Sequence, residues 1–266
     1  ILIRPAMLTL MSTSIVVAQP RLLVSSHATD KVLQYDGETG EFIDTFAGSG
    51  GRLKEPEGMV FGPDGNLYVA DAQYFYAKHE SRLIRVNMRD GRAVGSEVVA
   101  RGFNLANAVK WKGDAVYVTE TFLDAPDRNG MGAVYRITMD EMEDGPVQIE
   151  PGGNDPHVLA TFQAKSEKAE NPPSADGMCF DSDGNLYTGL FGDGAFFRLT
   201  FDSQGNVESK ECLLRTDRMP CVDGIFPDRE EGIIYITDSA QNAVHAYDIS
   251  ADELTTLWQN GDTDGS

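Results

Sequence analysis

Apolar residues in this chain occur in short runs of strand length that alternate with turn residues, most clearly in residues 174–194. There the pair Asp176-Gly177 precedes an apolar run, a turn over 181–185 and a second apolar run. Asp and Gly tolerate the positive φ that tight reversals between strands require. This stretch therefore predicts a β-hairpin with a carboxylate at its entrance.

The same pattern recurs three more times, at about 50-residue spacing. Each copy has a polar residue, a small residue, an apolar run, a turn and a strand centred on tyrosine. The polar residues at the entrances of the four copies are Glu57, Asn107, Asp176 and Asp223. Repeats of this length that contain strands rather than helices are typical of β-propeller blades.

The remaining strands set the predicted number of blades. Residues 21–48 contain three strand-like runs, which we interpret as the outer strands of a blade whose innermost strand lies elsewhere. Because an open propeller leaves strand edges unpaired, either the N-terminal segment closes a five-bladed ring or a C-terminal portion is missing from a six-bladed design. We favour six. The predicted fold class is all-β, a propeller of four-stranded antiparallel blades forming one domain over 21–266.

The first twenty residues carry Arg4, an apolar run and a small-residue end near Ala18, a pattern that resembles a secretory signal peptide. The β-branched stretch 13–19 is equally compatible with an N-terminal strand. We expect residues 1–20 to be an export signal or its remnant, which predicts a secreted or periplasmic protein.

Net charge and cysteine content narrow the function classes. The formal charge of −20 argues against nucleic acid or an anionic membrane surface as partner, because both require basic patches. The acidity is compatible with cation binding and equally with a role in solubility alone. Three cysteines do not make a disulfide framework.

The entrance residues are the strongest candidates for chemistry. Radial repetition brings equivalent positions to the central axis, so Glu57, Asn107, Asp176 and Asp223 are expected to converge there. Carboxylate and amide oxygens suit hard cations, Ca²⁺ before Mg²⁺. The alternative is that each acidic residue and its glycine only form a turn.

Long connections are predicted on the face of the propeller that carries these entrances. They cover residues 72–81, 121–132 and 140–175, and the last is expected to cover the mouth of the channel. Aromatic residues on this face could line a substrate mouth or merely pack loops: Tyr74, Phe75, Tyr76 and Phe122. His157 could move protons, although a structural histidine is the more common case.

The stretch DGMCFDSDGNLYTGLFGDGAFFRLTFDSQGNV resembles the SMP-30/gluconolactonase/LRE-like family of six-bladed propellers. The segment ANAVKW is similar to another strand entrance of that family, and PEGMVFGPDGNLYVAD resembles both it and NHL repeats. The resemblance covers most of residues 48–258.

That resemblance implies one divalent cation, usually Ca²⁺, on the axis, and hydrolysis of lactones or related esters. Asp176 matches the family's metal-binding Asp and Asn107 its metal-binding Asn, although Ala108 follows where glycine is usual. Glu57 stands where the family has a further polar residue, Asp223 is an additional acidic candidate, and the family's metal-binding Glu has no counterpart that we can place.

By the same resemblance, the cation polarises the carbonyl, and Asp176 or Asp223 acts as base or nucleophile. The sequence has no G-x-S-x-G elbow, so a serine hydrolase is not favoured. The predicted function is a Ca²⁺-dependent, or other divalent-metal-dependent, lactonase-like hydrolase of a small lactone or ester, without membrane insertion. The alternative is a non-catalytic NHL-like propeller that binds a protein partner.

Overall fold

The computed structural model describes residues 20–48, 50, 52–73, 79–123, 130–150, 152–165 and 172–261, which form five successive sheets. The first sheet contains β1 (Arg21–Ser26), β2 (Lys31–Asp36) and β3 (Phe42–Ala47). The second contains β4 (Pro56–Phe61), β5 (Leu67–Asp71), β6 (Ser81–Arg89) and β7 (Arg92–Phe103). The third contains β8 (Ala106–Lys112), β9 (Ala115–Glu120) and β10 (Met131–Thr138), and it is completed by a strand that follows two short elements.

Those elements are α1 (Met139–Glu143) and β11 (Val147–Gln148), and the completing strand is β12 (Val158–Gln163). The fourth sheet contains β13 (Ala175–Phe180), β14 (Leu186–Leu190), β15 (Ala195–Phe201) and β16 (Val207–Arg215). The fifth contains β17 (Ile225–Asp228), β18 (Ile233–Asp238), β19 (Ala243–Asp248) and β20 (Glu253–Gln259).

The sheets are arranged as propeller blades around the strands that begin at the predicted entrances. β4 contacts β8, β8 contacts β13, and β13 contacts β17, so these four strands are the innermost. Hydrophobic clusters fill each space between consecutive sheets, as expected when both faces of a blade are buried. The predicted all-β propeller with antiparallel four-stranded blades is confirmed.

The residues that the structure describes form five sheets rather than the six blades of the favoured design. The first sheet has three strands, and β1 contacts β4 as β5 contacts β8 and β9 contacts β13. β1 therefore occupies the position of a second strand, in agreement with the interpretation of residues 21–48 as outer strands. The described residues provide neither an innermost strand for this sheet nor a sixth sheet.

The connection over 140–175 does not, in its first part, lie over the channel as predicted. α1 begins with a capping box in which Thr138 and Glu141 each accept a hydrogen bond from the other's backbone. β11 then pairs in parallel with β7, the outermost main strand of the second blade. Because the free edge of β7 offers unpaired backbone groups, this part of the connection attaches to the outer rim.

Several sequence-based predictions fall on residues outside the described part of the chain. Residues 1–19, which carry the predicted export signal, and the aromatic residues 74–76 are among them. No helix in the described ranges has the length and apolar character required to cross a lipid bilayer. The three cysteines are free thiols, and Cys179 is buried within β13.

Candidate functional site

Three of the four innermost strands share an irregularity at their entrances. The pairing of β4 with β5 shifts register between Pro56 and Met59, so that Glu57 and Gly58 lie in a bulge. The same shift occurs in β8 between positions 106 and 109, and in β13 between positions 175 and 178. Bulges change the direction of a side chain relative to the regular pleat. The predicted entrance residues of three blades therefore occupy equivalent irregular positions.

The glycines that follow two of these residues are required by neighbouring backbone. A Cβ on Gly177 would collide with the carbonyl oxygen of Asp223, and one on Gly58 would lie 2.6 Å from that of Asn107. Neither glycine has a positive φ. The interpretation of Asp-Gly and Glu-Gly as turn chemistry is therefore wrong, because these glycines allow adjacent inner strands to approach closely.

Threonine hydroxyls hold the bulged backbone in place. Thr119 Oγ1, on β9, accepts a hydrogen bond from the Ala108 N–H and donates one to the Asp176 carbonyl, each at 2.7 Å. Thr188, on β14, donates to the Gly177 carbonyl at 3.0 Å within the fourth blade. Both hydroxyls are buried, so the bulge of the third blade is connected to that of the fourth by the Thr119 side chain.

Asp176 has the most unusual environment among the predicted site residues. It is only 6% exposed, and its carboxylate accepts no hydrogen bond from the described residues. Burial raises its pKa well above the usual value, and the neighbouring negative charges of Asp223 and Glu57 raise it further. The structure thus brings three of the predicted carboxylates close enough to interact electrostatically.

Asp223 and Asn107 lie at the edges of this group. Asp223 is half-buried, and burial raises its pKa, although a hydrogen bond from Ser239 opposes this shift. The Ser239 hydroxyl also lies 3.1 Å from the Cys221 thiol, whose pKa burial raises to about 11. The side chain of Asn107 is half-buried and makes no hydrogen bond within the described ranges, so its amide oxygen is available to a ligand.

Sequence reasoning missed His27 as a member of this group. His27 follows β1, and its Nδ1 lies 2.7 Å from Glu57 Oε1. Burial raises the pKa of Glu57, the neighbouring imidazole of His27 lowers it, and the charge of Asp223 raises it. The two residues are 30 positions apart and belong to different blades, so no local pattern could have indicated the pair.

A second set of acidic residues lies at the ends of the second strands of the blades, but their carboxylates already accept hydrogen bonds within the protein. Asp71 accepts hydrogen bonds from the Lys54 N–H and from Arg82. Glu120 accepts from the N–H groups of Asn104, Leu105 and Phe122. Burial raises the pKa of Glu120 to about 7, although these three hydrogen bonds lower it. These carboxylates hold the loops that precede the inner strands.

His157, a candidate for proton transfer, contacts residues of the outer connection and none of the entrance residues. Its Nδ1 lies 2.7 Å from Asp155 Oδ1, and its Nε2 lies 3.3 Å from Glu141 Oε1 on α1. It therefore stabilises the connection at the outer rim. His245 is also structural in its surroundings, since it is fully buried within β19 and lies 3.1 Å from Thr256 Oγ1.

Whether the axial residues can hold a cation depends on their ligand atoms and on their charge. All four predicted ligands carry side-chain oxygen atoms, and the buried Asp176 carboxylate has neither a hydrogen-bond donor nor a basic residue among the groups that shift its pKa. Within the described ranges, however, no three His, Cys, Asp or Glu side chains are grouped closely enough to hold a metal ion by themselves. The donor chemistry fits Ca²⁺ with additional oxygen ligands from Asn107 and water.

Known proteins resemble this chain in sequence profile and fold. The profile described as the SMP-30/gluconolactonase/LRE-like region matches residues 5–210. No curated protein sequence matches the chain. Among solved structures, a gluconolactonase from Xanthomonas campestris has a TM-score of 0.59 at 17% identity, with 92% of this chain and 74% of that chain covered.

Two further structures share the fold at similar distance. A luciferin-regenerating enzyme has a TM-score of 0.56 at 13% identity, with 90% of this chain and 72% of that chain covered. A catalytically inactive variant of virginiamycin B lyase from Staphylococcus aureus, with quinupristin, has a TM-score of 0.52 at 14% identity. The alignment covers 90% of this chain and 66% of the lyase, so this chain spans about two thirds of the lyase's length.

Proposed function

Because the chain belongs to the SMP-30/gluconolactonase/LRE-like family, we propose that it is a divalent-cation-dependent hydrolase of a small lactone or ester. The observation that supports this most strongly is the buried Asp176 carboxylate, which has no hydrogen-bond donor in the described residues and is flanked by two further carboxylates. Buried charge of one sign is costly without a counter-ion. A cation, most favourably Ca²⁺, would remove that cost.

The proposed ligands are Asp176 and Asn107, with at least one of Glu57 and Asp223. A bound cation would polarise the carbonyl of the lactone and stabilise the negative charge that develops on its oxygen. Thr119 positions Asp176, because its hydroxyl donates a hydrogen bond to the backbone carbonyl of Asp176. Waters and the substrate would complete the oxygen shell that Ca²⁺ accepts.

In this proposal Asp223 is the base. Its raised pKa makes the carboxylate a better proton acceptor than an exposed aspartate. Asp223 takes a proton from water as the water oxygen bonds to the carbonyl carbon. The ring C–O bond then breaks, and the same proton passes to the leaving alkoxide to give the hydroxy acid. Asp176, acting as the base or as a nucleophile, is the alternative assignment.

The test is hydrolysis of a panel of five- and six-membered lactones, followed as release of acid, in Ca²⁺ and in EDTA. We expect Asp223→Asn to lower kcat by about a hundredfold or more, because general base catalysis contributes that much. Asp44→Asn is the control, since it removes an exposed carboxylate on β3, the outermost strand of the first sheet. Hydrolysis that is equal in EDTA would contradict the proposal, and hydrolysis that is equal in Asp223→Asn would contradict the assignment of Asp223 as the base.

If no lactone is hydrolysed, Ca²⁺ binding is tested independently of activity. If Ca²⁺ still binds, the axial residues form a cation site in a propeller without lactonase activity. If neither binding nor turnover is measured, the function as a non-catalytic binding module becomes the better account.

A further inference from the structure

A cavity of about 610 Å³ lies where the four innermost strands end, away from the entrance residues. Its lining includes Val60 on β4, Lys110 and Trp111 on β8, Phe180 on β13 and Phe226 on β17. Each of these positions is three or four residues beyond the entrance residue of its strand. At about 3.3 Å per residue, the cavity is about 10 Å further along the channel than the axial carboxylates.

The walls of this cavity are mainly aromatic and aliphatic. Phe180 is nearly buried, Trp111 packs edge-on against Tyr68 with ring centroids 5.0 Å apart, and Phe226 is 68% exposed. A large apolar side chain so open to solvent at a cavity mouth is available for contact with a ligand. The volume is in the range of small-molecule sites, which combine apolar walls with a few polar groups.

The charged residues of the cavity are two basic side chains, Lys110 and Arg229, and two acidic ones, Asp228 and Glu230. Lys110 makes no hydrogen bond or ion pair with any described residue, and burial lowers the pKa of its ammonium group. Arg229 lies at the rim, where its Nε donates to the Phe180 carbonyl at 3.3 Å. Lys110 is half-buried, and an ammonium group that is partly removed from water without a partner is stabilised by an anion placed beside it.

The acidic residues at the rim do not neutralise Lys110. Asp228 Oδ1 accepts hydrogen bonds from the N–H groups of Glu230 and Glu231, each at 3.1 Å, so it is held within its turn. Glu230 is exposed. Neither carboxylate is among the charges that shift the pKa of Lys110, whose only electrostatic neighbour of that kind is the Cys179 thiol.

We propose that this cavity is a second ligand site, which binds an organic anion with an aromatic body. In this site Lys110 pairs with the anionic group, and Trp111, Phe180 and Phe226 contact the aromatic part. The site is separate from the proposed hydrolytic centre, because the two lie at opposite ends of the inner strands. Cys179 is not reactive here, since burial raises the pKa of its thiol to about 12.

Two dyes that differ only in the anionic group test this site. 8-Anilinonaphthalene-1-sulfonate carries a sulfonate, and N-phenyl-1-naphthylamine has the same aromatic body without it. Fluorescence titrations in EDTA, which leaves the axial carboxylates without a cation, make the result independent of the proposed function. We expect the wild-type protein to bind the sulfonate dye at one site and more tightly than the neutral dye.

Lys110→Met should weaken binding of the sulfonate dye by about tenfold or more and leave the neutral dye unchanged. Lys210→Met is the matched control, since it removes the same charge from an exposed position on β16, and it should change neither dye. Phe226→Ala should weaken both dyes, because it removes apolar contact rather than charge.

Circular dichroism establishes that each variant is folded. If Lys110→Met does not fold, Lys110→Gln replaces it in the same comparison. No binding of the sulfonate dye by the wild-type protein would overturn the proposal. So would a Lys110 variant that retains full affinity for the sulfonate dye, or one that loses affinity for both dyes equally.

Discussion

The hydroxyl of Thr119 donates a hydrogen bond to the backbone carbonyl of Asp176 at 2.7 Å, across the boundary between two blades. The same oxygen accepts from the N–H of Ala108, the residue after Asn107. One side chain therefore fixes the backbone beside two of the proposed cation ligands. This contact explains how residues 69 positions apart in the chain can act as one site.

Thr119→Val should therefore destabilise the protein and weaken any cation site. Valine has a similar shape but leaves two buried backbone groups without partners, at a cost of about 2 kcal/mol in the free energy of unfolding. Thr119→Ser keeps the hydroxyl and should cost about 1 kcal/mol or less through its lost methyl group. Urea unfolding of both variants measures the difference, and equal losses would show that the hydroxyl is unimportant.

Gly177→Ala should be strongly destabilising, by about 3 kcal/mol or more, because its Cβ would overlap the Asp223 carbonyl of the adjacent inner strand. Gly95→Ala is the control within β7, where an added Cβ meets no atom within 4 Å. The control should be neutral or slightly stabilising, since alanine has fewer unfolded conformations to lose. Comparing the melting temperatures of the two variants distinguishes a steric clash with the neighbouring backbone from a general effect of replacing glycine with alanine.

Asp176→Asn should change stability in a pH-dependent way when no cation is present. The folded-state pKa of Asp176 is raised above its unfolded value of 3.8, so its contribution to folding is lost as the pH rises through the folded pKa. The variant lacks this titration and should become progressively more stable than wild type between pH 4 and pH 8. The gain is about 1.4 kcal/mol for each unit by which the folded pKa is raised.

Unfolding in EDTA at several pH values measures this difference. Saturating Ca²⁺ should abolish it by stabilising the wild-type protein alone, by about 2.7 kcal/mol at a hundredfold excess over Kd. If the difference in the free energy of unfolding between the two proteins is constant across the pH range, the pKa of Asp176 is not raised in the folded state.

The sequence was sufficient to predict the hairpins because their second strands are continuous buried runs, such as Leu67–Asp71 and Leu186–Leu190. It also placed Glu57, Asp176 and Asp223 together, because repetition around an axis converts equal positions into neighbours. Gly58 and Gly177 were misinterpreted, since contacts such as that of Gly177 with Asp223 lie between blades and leave no trace in local turn patterns.

Non-local pairing accounts for the other differences. β11 is only two residues long and pairs with β7 of another blade, so its sequence carries too little periodicity to indicate a strand. The contact of His27 with Glu57 has the same origin. The requirement that a propeller closes left both five and six blades open, so it could not determine how many sheets this sequence forms.

His27→Gln should shift the pH midpoint of Ca²⁺ binding upward. The imidazole lowers the pKa of Glu57, so without it the carboxylate remains protonated to a higher pH and is less available to a cation. His157→Gln is the matched control, since His157 pairs with Asp155 at the rim, and its midpoint should equal that of wild type. An unchanged midpoint in His27→Gln would exclude Glu57 from the cation site.

The most direct test of the account is a calorimetric titration of Ca²⁺ into the metal-free wild-type protein, Asp176→Asn and Asp44→Asn. If the axial carboxylates form a cation site, wild type and Asp44→Asn bind one Ca²⁺ with equal affinity and Asp176→Asn loses that binding. If wild type binds no Ca²⁺, or if Asp176→Asn binds it as tightly as wild type, the cation is not held by the carboxylates at the entrances of the inner strands.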